Sequence, residues 1–344
     1  MLNLVIPSFF LSLFGIFTVF GITHSFLLNQ LIYFVVAFVI FFIIKKIGRH
    51  FFQLNSTFFY WLFVFILIGT FFFGLEVKGS KRWIDLYFYK FQSSEFFKIF
   101  FILFMAQLLS LKHLKYHGFI TFIKSFIYFL IPTLIIFKQP DLGNALVYVV
   151  IYISMIMFSD IPKQFLAYLS GICIFLFPFG WFILKQYQKD RLLSFVNPHL
   201  DTQGTAYNMI QAVITVGSGQ FFGRGLGLGT QSRLFFLPEN FTDFAYSSLI
   251  EQFGFIGGFV VIVLYVVIAI FLIKRLYKFY YQKTPEGKQN FLYIVGLLSY
   301  MLFQVMINIG MNIGLVPVAG IALPFISYGG SSVLAIMIGF ALVP

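Results

Sequence analysis

The sequence LPENFTDF, residues 237–244, closes a polar stretch that begins near Lys185, and it leads into an apolar run that continues to Ile273. This junction places one carboxylate, that of Asp243, at the predicted boundary of a membrane span. An ionisable side chain at such a boundary, next to a stretch rich in Arg, Gly and Gln, is a candidate functional group. A structural role is equally open, because Asp often caps the helix that follows it.

The composition of the whole chain is that of a membrane protein. Hydrophobic residues make up 60% of the 344 residues, charged residues make up only 10%, and the mean hydropathy is +0.95. Soluble domains carry far more charge, so this composition predicts an all-α polytopic membrane protein. About ten apolar runs approach the length that a membrane-spanning helix needs. They lie at residues 4–22, 27–44, 58–74, 94–111, 119–137, 142–158, 165–184, 244–273, 291–312 and 332–343.

The polar stretch separates the seventh of these runs from the eighth. No change in composition marks a second soluble domain, so we expect one membrane domain over residues 1–344 with a large loop at residues 185–243. Connections rich in Lys and Arg stay in the cytoplasm. Such residues follow the second, fourth and eighth runs: Lys45, Lys46, Arg49, Lys112, Lys115, Lys274, Arg275, Lys278, Lys283 and Lys288. Both termini are therefore expected in the cytoplasm, and the large loop is expected to be extracytoplasmic.

Charge and cysteine content disfavour several classes of function. The net charge of +12 comes mainly from basic residues scattered beside the spans, which form no continuous patch for nucleic acid. The single cysteine, Cys173, lies in an apolar run, so neither a disulfide nor a cysteine metal cluster is expected. The five histidines show neither zinc-site spacing nor a Ser-His-Asp arrangement.

The large loop is rich in arginine and glycine. Arg191 precedes the run GSGQFFGRGLGLGTQSR at residues 217–233, which ends at Arg233. Closely spaced glycines let backbone N–H groups approach an anion, and arginine binds phosphate through two hydrogen bonds. No Walker or Rossmann context surrounds these glycines, so a nucleotide site is disfavoured. These residues combine cations that suit a phosphate-bearing lipid with one carboxylate. The combination suits a reaction in which the carboxylate activates an alcohol as general base and a diphosphate is the leaving group.

Two other segments at the predicted outer face carry charges. In the first, Arg82 precedes Glu95 and Lys98, which lie three residues apart and can pair on one helix face. Glu95 and Lys98 form a structural ion pair, or Arg82 and Lys98 help to bind an anionic headgroup. In the second, KQPDLGN at residues 138–144, Pro and Gly favour a tight turn. There Asp141 either belongs to the turn alone or supports a site.

A third segment, residues 313–331, contains two prolines and several glycines among apolar residues. This composition predicts a broken or re-entrant segment, which membrane proteins tolerate only where it is buried in protein or lines a wet cavity. Ser327 and Tyr328 could supply hydrogen-bond donors there. A bent connector without any ligand would explain the same glycines.

Several of these stretches resemble motifs of the SEDS family, whose name stands for shape, elongation, division and sporulation. They occur in the family's order from about Lys78 to Ser332. The matching strings are RWIDL with FQSSEFFK, KQPDLGNAL, RLLSFVNPHLD, GTQSRLFFLPENFTDF and PVAGIALPFISYGGSS. The short termini, QPDLG and GTQS are more similar to elongation members of the family than to division members.

The resemblance implies a ten-span peptidoglycan glycosyltransferase of the bacterial cytoplasmic (inner) membrane that polymerises lipid II at the outer face. It implies a class B penicillin-binding transpeptidase and other elongation-complex membrane proteins as partners. Asp243 matches the family's essential loop aspartate, which implies that it takes the proton of the acceptor sugar's 4-hydroxyl while undecaprenyl diphosphate departs. The candidates for substrate-binding or supporting groups are Arg82, Glu95, Lys98, Asp141, Arg191 and Glu251, together with Arg233, Ser327 and Tyr328 of the loop and the third segment.

Three positions depart from the family pattern. Ser93 stands where the family usually has Pro, Phe241 where His commonly precedes Thr-Asp, and Gln252 where a second Glu is frequent. Phe241 and Gln252 put in doubt any scheme that needs a second titrating group near Asp243. A lipid II flippase, a division-type polymerase and a noncatalytic scaffold stay open as alternatives. The metal requirement also stays open, because carboxylates and a lipid diphosphate could share Mg²⁺ without a fixed ligand set being visible.

Overall fold

The computed structural model describes residues 2–77, 80–86, 89–110, 118–183, 186–197, 204–282 and 284–344. Three lysines of the topology prediction, Lys112, Lys115 and Lys283, lie outside these residues. So do Lys185, where the predicted loop begins, and the side chain of Cys173. The helices are α1 (Leu2–Ile22), α2 (Leu27–Ile47), α3 (Arg49–Leu54), α4 (Ser56–Phe73), α5 (Ser93–Ser110), α6 (Gly118–Lys138), α7 (Leu142–Phe158), α8 (Lys163–Ile183), α9 (Gln186–Val196), α10 (Thr205–Ser218), α11 (Thr230–Arg233), α12 (Ala245–Tyr280), α13 (Pro285–Asn312) and α14 (Gly330–Ala341). The strands are β1 (Leu75–Val77), β2 (Ser80–Asp85) and β3 (Lys90–Phe91).

A helix lies at each of the predicted spans, and the predicted class, an all-α polytopic membrane protein, is confirmed. Within the described residues, seven helices are long and apolar enough to cross a membrane, namely α1, α2, α4, α5, α6, α12 and α13. Two shorter apolar helices, α7 and α14, accompany them. Large apolar side chains such as Val35 and Phe65 are exposed on α2 and α4, as expected for surfaces that face lipid.

The contacts group the chain into two compact units. Unit 1 comprises Met1–Ile32, Leu169–Ile268 and Gln304–Gly329, and unit 2 comprises Tyr33–Tyr168, Ala269–Phe303 and Gly330–Pro344. Asp243, the large loop and the third segment up to Gly329 belong to unit 1, whereas Arg82, Glu95, Lys98 and Asp141 belong to unit 2. The single membrane domain over residues 1–344 stays a prediction.

Unit 2 is built around α5, which is buried along nearly all of its length. Helices α4, α6, α7 and α14 pack against it, partly through stacked rings such as Phe63 on Phe100, whose centroids are 4.7 Å apart. An antiparallel sheet of order β1-β2-β3 leads the chain into α5. This sheet is not predicted from the sequence, because strands of two to six residues are too short to show a clear alternating pattern.

The stretch predicted as a polar loop contains three helices, α9, α10 and α11, in the part that the structure describes. α10 lies between Gly204 at its N-cap and Gly219 at its C-cap. It buries Ala206 and Ala212 and exposes Ile210 and other apolar side chains, so apolar residues occupy both faces. The prediction of a large extracytoplasmic loop therefore missed the helices within this stretch. Polar residues at the two ends of the stretch dominate its average composition.

Helix α12 is interrupted at Gly254, where φ is 70° and ψ is −172°. The interruption frees carbonyls before it and N–H groups after it, and each needs a new partner in a membrane protein. The glycine-rich loop provides these partners through backbone hydrogen bonds. The N–H groups of Arg224 and Gly225 donate to the carbonyls of Glu251 (2.8 Å) and Gln252 (3.1 Å), respectively. The N–H groups of Phe255 and Ile256 donate to the carbonyls of Gln220 (2.9 Å) and Phe221 (3.3 Å). Two of the loop's N–H groups are thus used inside the chain rather than offered to an anion.

Glycine is required where the loop meets the interruption. A Cβ on Gly223 would overlap the backbone carbonyl of Gln252, and a Cβ on Gly254 would overlap the backbone of Gly223. Both glycines have positive φ, 84° and 70°, which residues with side chains adopt only at a cost. The density of glycine in this loop is therefore explained in part by close backbone packing.

We predict that Gly223→Ala lowers the melting temperature of the purified protein in detergent, because the added methyl group costs about 1–3 kcal/mol of folding stability. The matched control is Gly217→Ala in α10, where a Cβ would meet no atom within 4 Å. Alanine favours helix over glycine by up to about 1 kcal/mol, so this control is expected to be neutral or stabilising. Equal melting temperatures for the two variants would contradict the packing explanation.

Candidate functional site

Asp243 lies in the turn that precedes α12. The N–H of Ser248 donates to the carbonyl of Phe244 at 3.2 Å, and the helix begins at Ala245. Since the N-cap residue is the one whose carbonyl accepts the first helical bond, Phe244 occupies that position and Asp243 precedes it. This boundary disfavours the capping role that the sequence left open for Asp243.

The Asp243 carboxylate and the Arg191 guanidinium both lie beside Gly320. A Cβ on Gly320 would lie 3.8 Å from Oδ2 of Asp243 and 3.8 Å from Nη1 of Arg191. Arg191 also donates from Nη1 to the carbonyl of Val318 at 3.4 Å. Unit 1 thus brings a carboxylate, a cation and the third segment to one place.

The third segment is non-helical between α13 and α14, which confirms the predicted break. Ser327 is fully buried, and its hydroxyl accepts from the N–H of Leu323 at 2.8 Å, so in this structure it stabilises the segment's own turn. Tyr328 donates its N–H to the carbonyl of Phe241 at 2.7 Å. Its ring lies 5.1 Å from that of Phe26 and 5.8 Å from that of Phe241. Tyr328 therefore connects the third segment to the end of the large loop.

Glu251 is a fully buried carboxylate that holds the loop against α12. Oε1 accepts from the N–H of Gln231 at 2.8 Å and the hydroxyl of Ser218 at 3.4 Å. Oε2 accepts from the N–H of Ser232 at 2.9 Å and the hydroxyl of the same residue at 2.5 Å. A Cβ on Gly229 would come within 2.5 Å of Oε2, so glycine is needed there as well. This geometry gives Glu251 a supporting role.

The other candidate of unit 1, Arg233, is exposed. It donates from Nη1 to the carbonyl of Gly227 at 3.0 Å, which anchors its side chain along the glycine-rich loop. It presents a positive charge at the surface of the loop.

Arg82 and Asp141 form one cluster in unit 2. Nη1 of Arg82 lies 3.7 Å from Oδ1 of Asp141, and the same guanidinium donates to the carbonyls of Gln139 and Pro140. Asp141 is the N-cap of α7 and accepts from the N–H of Asn144 at 3.2 Å. The turn predicted for Asp141 is therefore present, and Arg82 is bound to it.

Glu95 and Lys98 form the predicted pair on α5, with Nζ and Oε1 separated by 2.6 Å. Lys98 is fully buried, and its ammonium lies 5.0 Å from the ring centroid of Tyr300. The hydroxyl of Tyr300 donates to Oε2 of Glu95 at 3.4 Å. An enclosed ammonium with these neighbours favours the structural ion pair over direct binding of a headgroup, and the substrate-binding alternative stays a prediction.

Tyr89, which lies before β3 and outside the spans, joins the start of α14. Its hydroxyl is 2.8 Å from that of Ser331, which also accepts from the N–H of Gln92 at 3.1 Å. Burial raises the pKa of the Tyr89 phenol, so the group stays protonated and able to donate. The contact ties the chain ahead of α5 to α14 within unit 2.

Phe241 and Gln252, two of the departures from the family pattern, take part in a ring contact and an amide hydrogen bond. The Phe241 ring lies 5.1 Å from the Phe26 ring at a tilted angle, and Nε2 of Gln252 donates to the carbonyl of Thr18 at 3.1 Å. Within the described residues, no group of three or more His, Cys, Asp and Glu side chains is placed to hold a metal ion.

Sequence reasoning missed two asparagines of α13. Asn308 and Asn312 both donate from Nδ2 to the backbone carbonyl of Asp243, at 3.0 and 3.1 Å. Their only sequence signal is a pair of amides four residues apart in an apolar span, which places them on one face of the helix.

Comparisons with known proteins agree with this fold. The family model FTSW_RODA_SPOVE, described as cell cycle protein, matches residues 2–344. Peptidoglycan glycosyltransferase MrdB of Escherichia coli K12 is 31% identical over 293 residues, which cover 84% of this chain and 76% of that protein. The probable peptidoglycan glycosyltransferase FtsW of Hydrogenovibrio crunogenus is 32% identical over 331 residues, which cover 94% and 82%.

Solved structures share the architecture at lower identity. The crystal structure of the rod shape determining protein RodA of Thermus thermophilus aligns with a TM-score of 0.71 at 21% identity, covering 100% of this chain and 95% of that chain. A chain from a structure of a peptidoglycan synthase complex, described as coordinating polymerization and crosslinking, aligns with a TM-score of 0.83 at 22% identity, covering 100% and 96%.

We predict that Lys98→Met lowers the stability of the protein by about 3–5 kcal/mol, because it leaves the buried Glu95 carboxylate without its cation. The double variant Glu95→Gln with Lys98→Met is expected to recover most of that loss. Melting temperature in detergent measures both effects, and Lys274→Met, at an exposed lysine of α12, is the matched control. A Lys98→Met variant that keeps its melting temperature but has a raised KM for substrate would instead support headgroup binding.

Proposed function

The chain belongs to the family of cell cycle proteins that includes FtsW, RodA and SpoVE, and on that premise we propose that it is a peptidoglycan glycosyltransferase that acts in cell elongation. Relatives named peptidoglycan glycosyltransferase support the reaction class. The motifs similar to elongation members favour elongation, and a division-type polymerase is the alternative within the same reaction class, since FtsW relatives match at similar identity.

The observation that carries the proposed mechanism is that the Asp243 carboxylate and the Arg191 guanidinium both lie beside Gly320. In the proposed reaction, the 4-hydroxyl oxygen of the acceptor sugar of lipid II attacks the anomeric carbon of the donor. Asp243 accepts the hydroxyl proton as general base. The bond between the anomeric carbon and the diphosphate oxygen breaks, and its electron pair leaves on undecaprenyl diphosphate.

Cations stabilise the charge that develops on the leaving group. Arg191 is assigned to this task because it is the arginine placed beside Asp243, and the exposed Arg233 of the same unit is a second candidate. Glu251, Ser327 and Tyr328 support the loop and the third segment. In unit 2, Arg82, Asp141, Glu95 and Lys98 are assigned supporting roles, since each is held by another member of its own cluster.

The proposed setting is the bacterial cytoplasmic membrane. The apolar helices make the chain a multi-pass membrane protein, and the distribution of basic residues supports cytoplasmic termini with Asp243 facing outward. The similarity to a chain of a peptidoglycan synthase complex supports a class B penicillin-binding transpeptidase as partner, together with other membrane proteins of the elongation complex.

We predict that the purified protein converts labelled lipid II into glycan chains and that Asp243→Asn slows this reaction by at least about 100-fold, because a positioned base contributes roughly 10²–10⁴-fold. Gel separation of the labelled products measures the rate. Asp190→Asn is the matched control, since it neutralises another carboxylate of the large loop, which accepts from Nε2 of Gln186 at 2.8 Å. The control is expected to keep the wild-type rate.

Other outcomes of the same assay separate the alternatives. Movement of lipid II across vesicle membranes without polymer would identify a flippase and overturn the enzymatic proposal. Full polymerisation by Asp243→Asn would remove the base role from this residue. A scaffold would form no polymer and would bind the transpeptidase, and Asp243→Asn would leave that binding unchanged. Addition of a chelator in parallel shows whether the reaction requires a divalent cation such as Mg²⁺.

A further inference from the structure

Asn308 and Asn312 face the same side of α13, and both are fully buried. Nδ2 of Asn308 donates to the carbonyl oxygen of Asp243 at 3.0 Å, and Nδ2 of Asn312 donates to the same oxygen at 3.1 Å. A carbonyl oxygen has two lone pairs, so the two amides together satisfy it. The direction of this carbonyl, and with it the peptide plane that follows Asp243, is therefore fixed from α13.

Asn312 also holds the first turn of α12. Its Oδ1 accepts from the N–H of Ser247 at 2.9 Å and from the Ser247 hydroxyl at 2.6 Å. The first N–H groups of a helix lack partners within the helix and need an acceptor from outside it. The Asn312 side chain thus donates to Asp243, which precedes α12, and accepts from the first turn of α12. These hydrogen bonds fix the point where the chain enters that helix.

Asn308 connects the same point to the third segment. Besides its bond to Asp243, its Nδ2 donates to the carbonyl of Ile321 at 2.7 Å. Ile321 follows Gly320, which is the residue flanked by the Asp243 carboxylate and Arg191. An amide group carries two donor hydrogens, so a single Asn308 amide can hold the backbone of Asp243 and the backbone beside Gly320 at a set spacing.

We propose that Asn308 and Asn312 are positioning residues that act through Asp243, an inference that rests on the proposed function of that aspartate. They hold the Asp243 backbone through its carbonyl oxygen. Asp243 itself is only partly buried, and its carboxylate lies beside Gly320. A general base must be held within hydrogen-bond reach of the proton it takes. Displacement by about 1 Å can cost 100-fold in rate.

The test uses Asn308→Leu, which keeps a similar volume and removes both donated hydrogen bonds. In detergent or vesicles with labelled lipid II, kcat per folded protein is expected to fall by at least about 10-fold, while KM changes by less than about 3-fold, since no substrate contact is removed. Asn308→Ser is the second variant and is measured in the same way if the leucine variant does not fold. Folded protein is quantified by size-exclusion chromatography and by melting temperature.

Gln304→Leu is the matched control. Gln304 lies one turn earlier on α13 and is fully buried, and its amide atoms have no hydrogen-bond partner in the part of the chain that the structure describes. The control is expected to keep kcat, because it changes a buried amide of the same helix without touching Asp243. A kcat per folded protein that is unchanged in both Asn308 variants, or that falls equally in Gln304→Leu, overturns the positioning role.

The failure of this inference can be told apart from failure of the proposed function. If Asp243→Asn is inactive while the Asn308 variants keep their kcat, Asp243 is the base and the asparagines do not position it. If Asp243→Asn polymerises lipid II at the wild-type rate, the base assignment fails, and the positioning role fails with it.

Discussion

Each interruption of a membrane helix frees backbone groups that must find other partners, and unit 1 is organised around this constraint. At Gly254 the partners are backbone groups of the glycine-rich loop. After α13 they include side chains, because Asn308 donates to the carbonyl of Ile321 and the Ser327 hydroxyl accepts from the N–H of Leu323. Irregular backbone that is paired in this way is rigid enough to hold a charged side chain in place, as catalysis requires.

The two units bury carboxylates by different means. In unit 1, Glu251 accepts hydrogen bonds from two backbone N–H groups and two hydroxyls, so neutral donors satisfy it. In unit 2, Glu95 is paired with the ammonium of Lys98 at 2.6 Å. The first arrangement joins separate parts of the chain, since the donors come from the loop and the acceptor comes from α12. The second arrangement lets the buried helix α5 carry two opposite charges that offset one another.

The sequence predicted those features that depend on local composition. Apolar length located the spans, and Pro and Gly located the break after α13. It did not show the interruption at Gly254, because glycine is frequent in membrane helices and this one lies inside a stretch long enough for a single span. Nor did it show that the glycine-rich loop pairs with that interruption, since the pairing joins residues about 30 positions apart and leaves no local pattern. Asn308 and Asn312 were missed for the same reason, because their partner, Asp243, precedes them by more than 60 residues.

The described carboxylates of unit 1 differ in their suitability as a base. Glu251 is fully buried among four donors, and taking up a proton there would disrupt hydrogen bonds that hold the loop. Asp190 and Glu239 accept from neighbours on their own turns, Gln186 and Thr242. Asp243 lies beside Gly320 of the third segment, where the Arg191 guanidinium also lies. Neither Phe241 nor Gln252 is titratable, so neither supplies a second base to the proposed chemistry. The backbone of Asp243 is held by hydrogen bonds from two asparagines of α13.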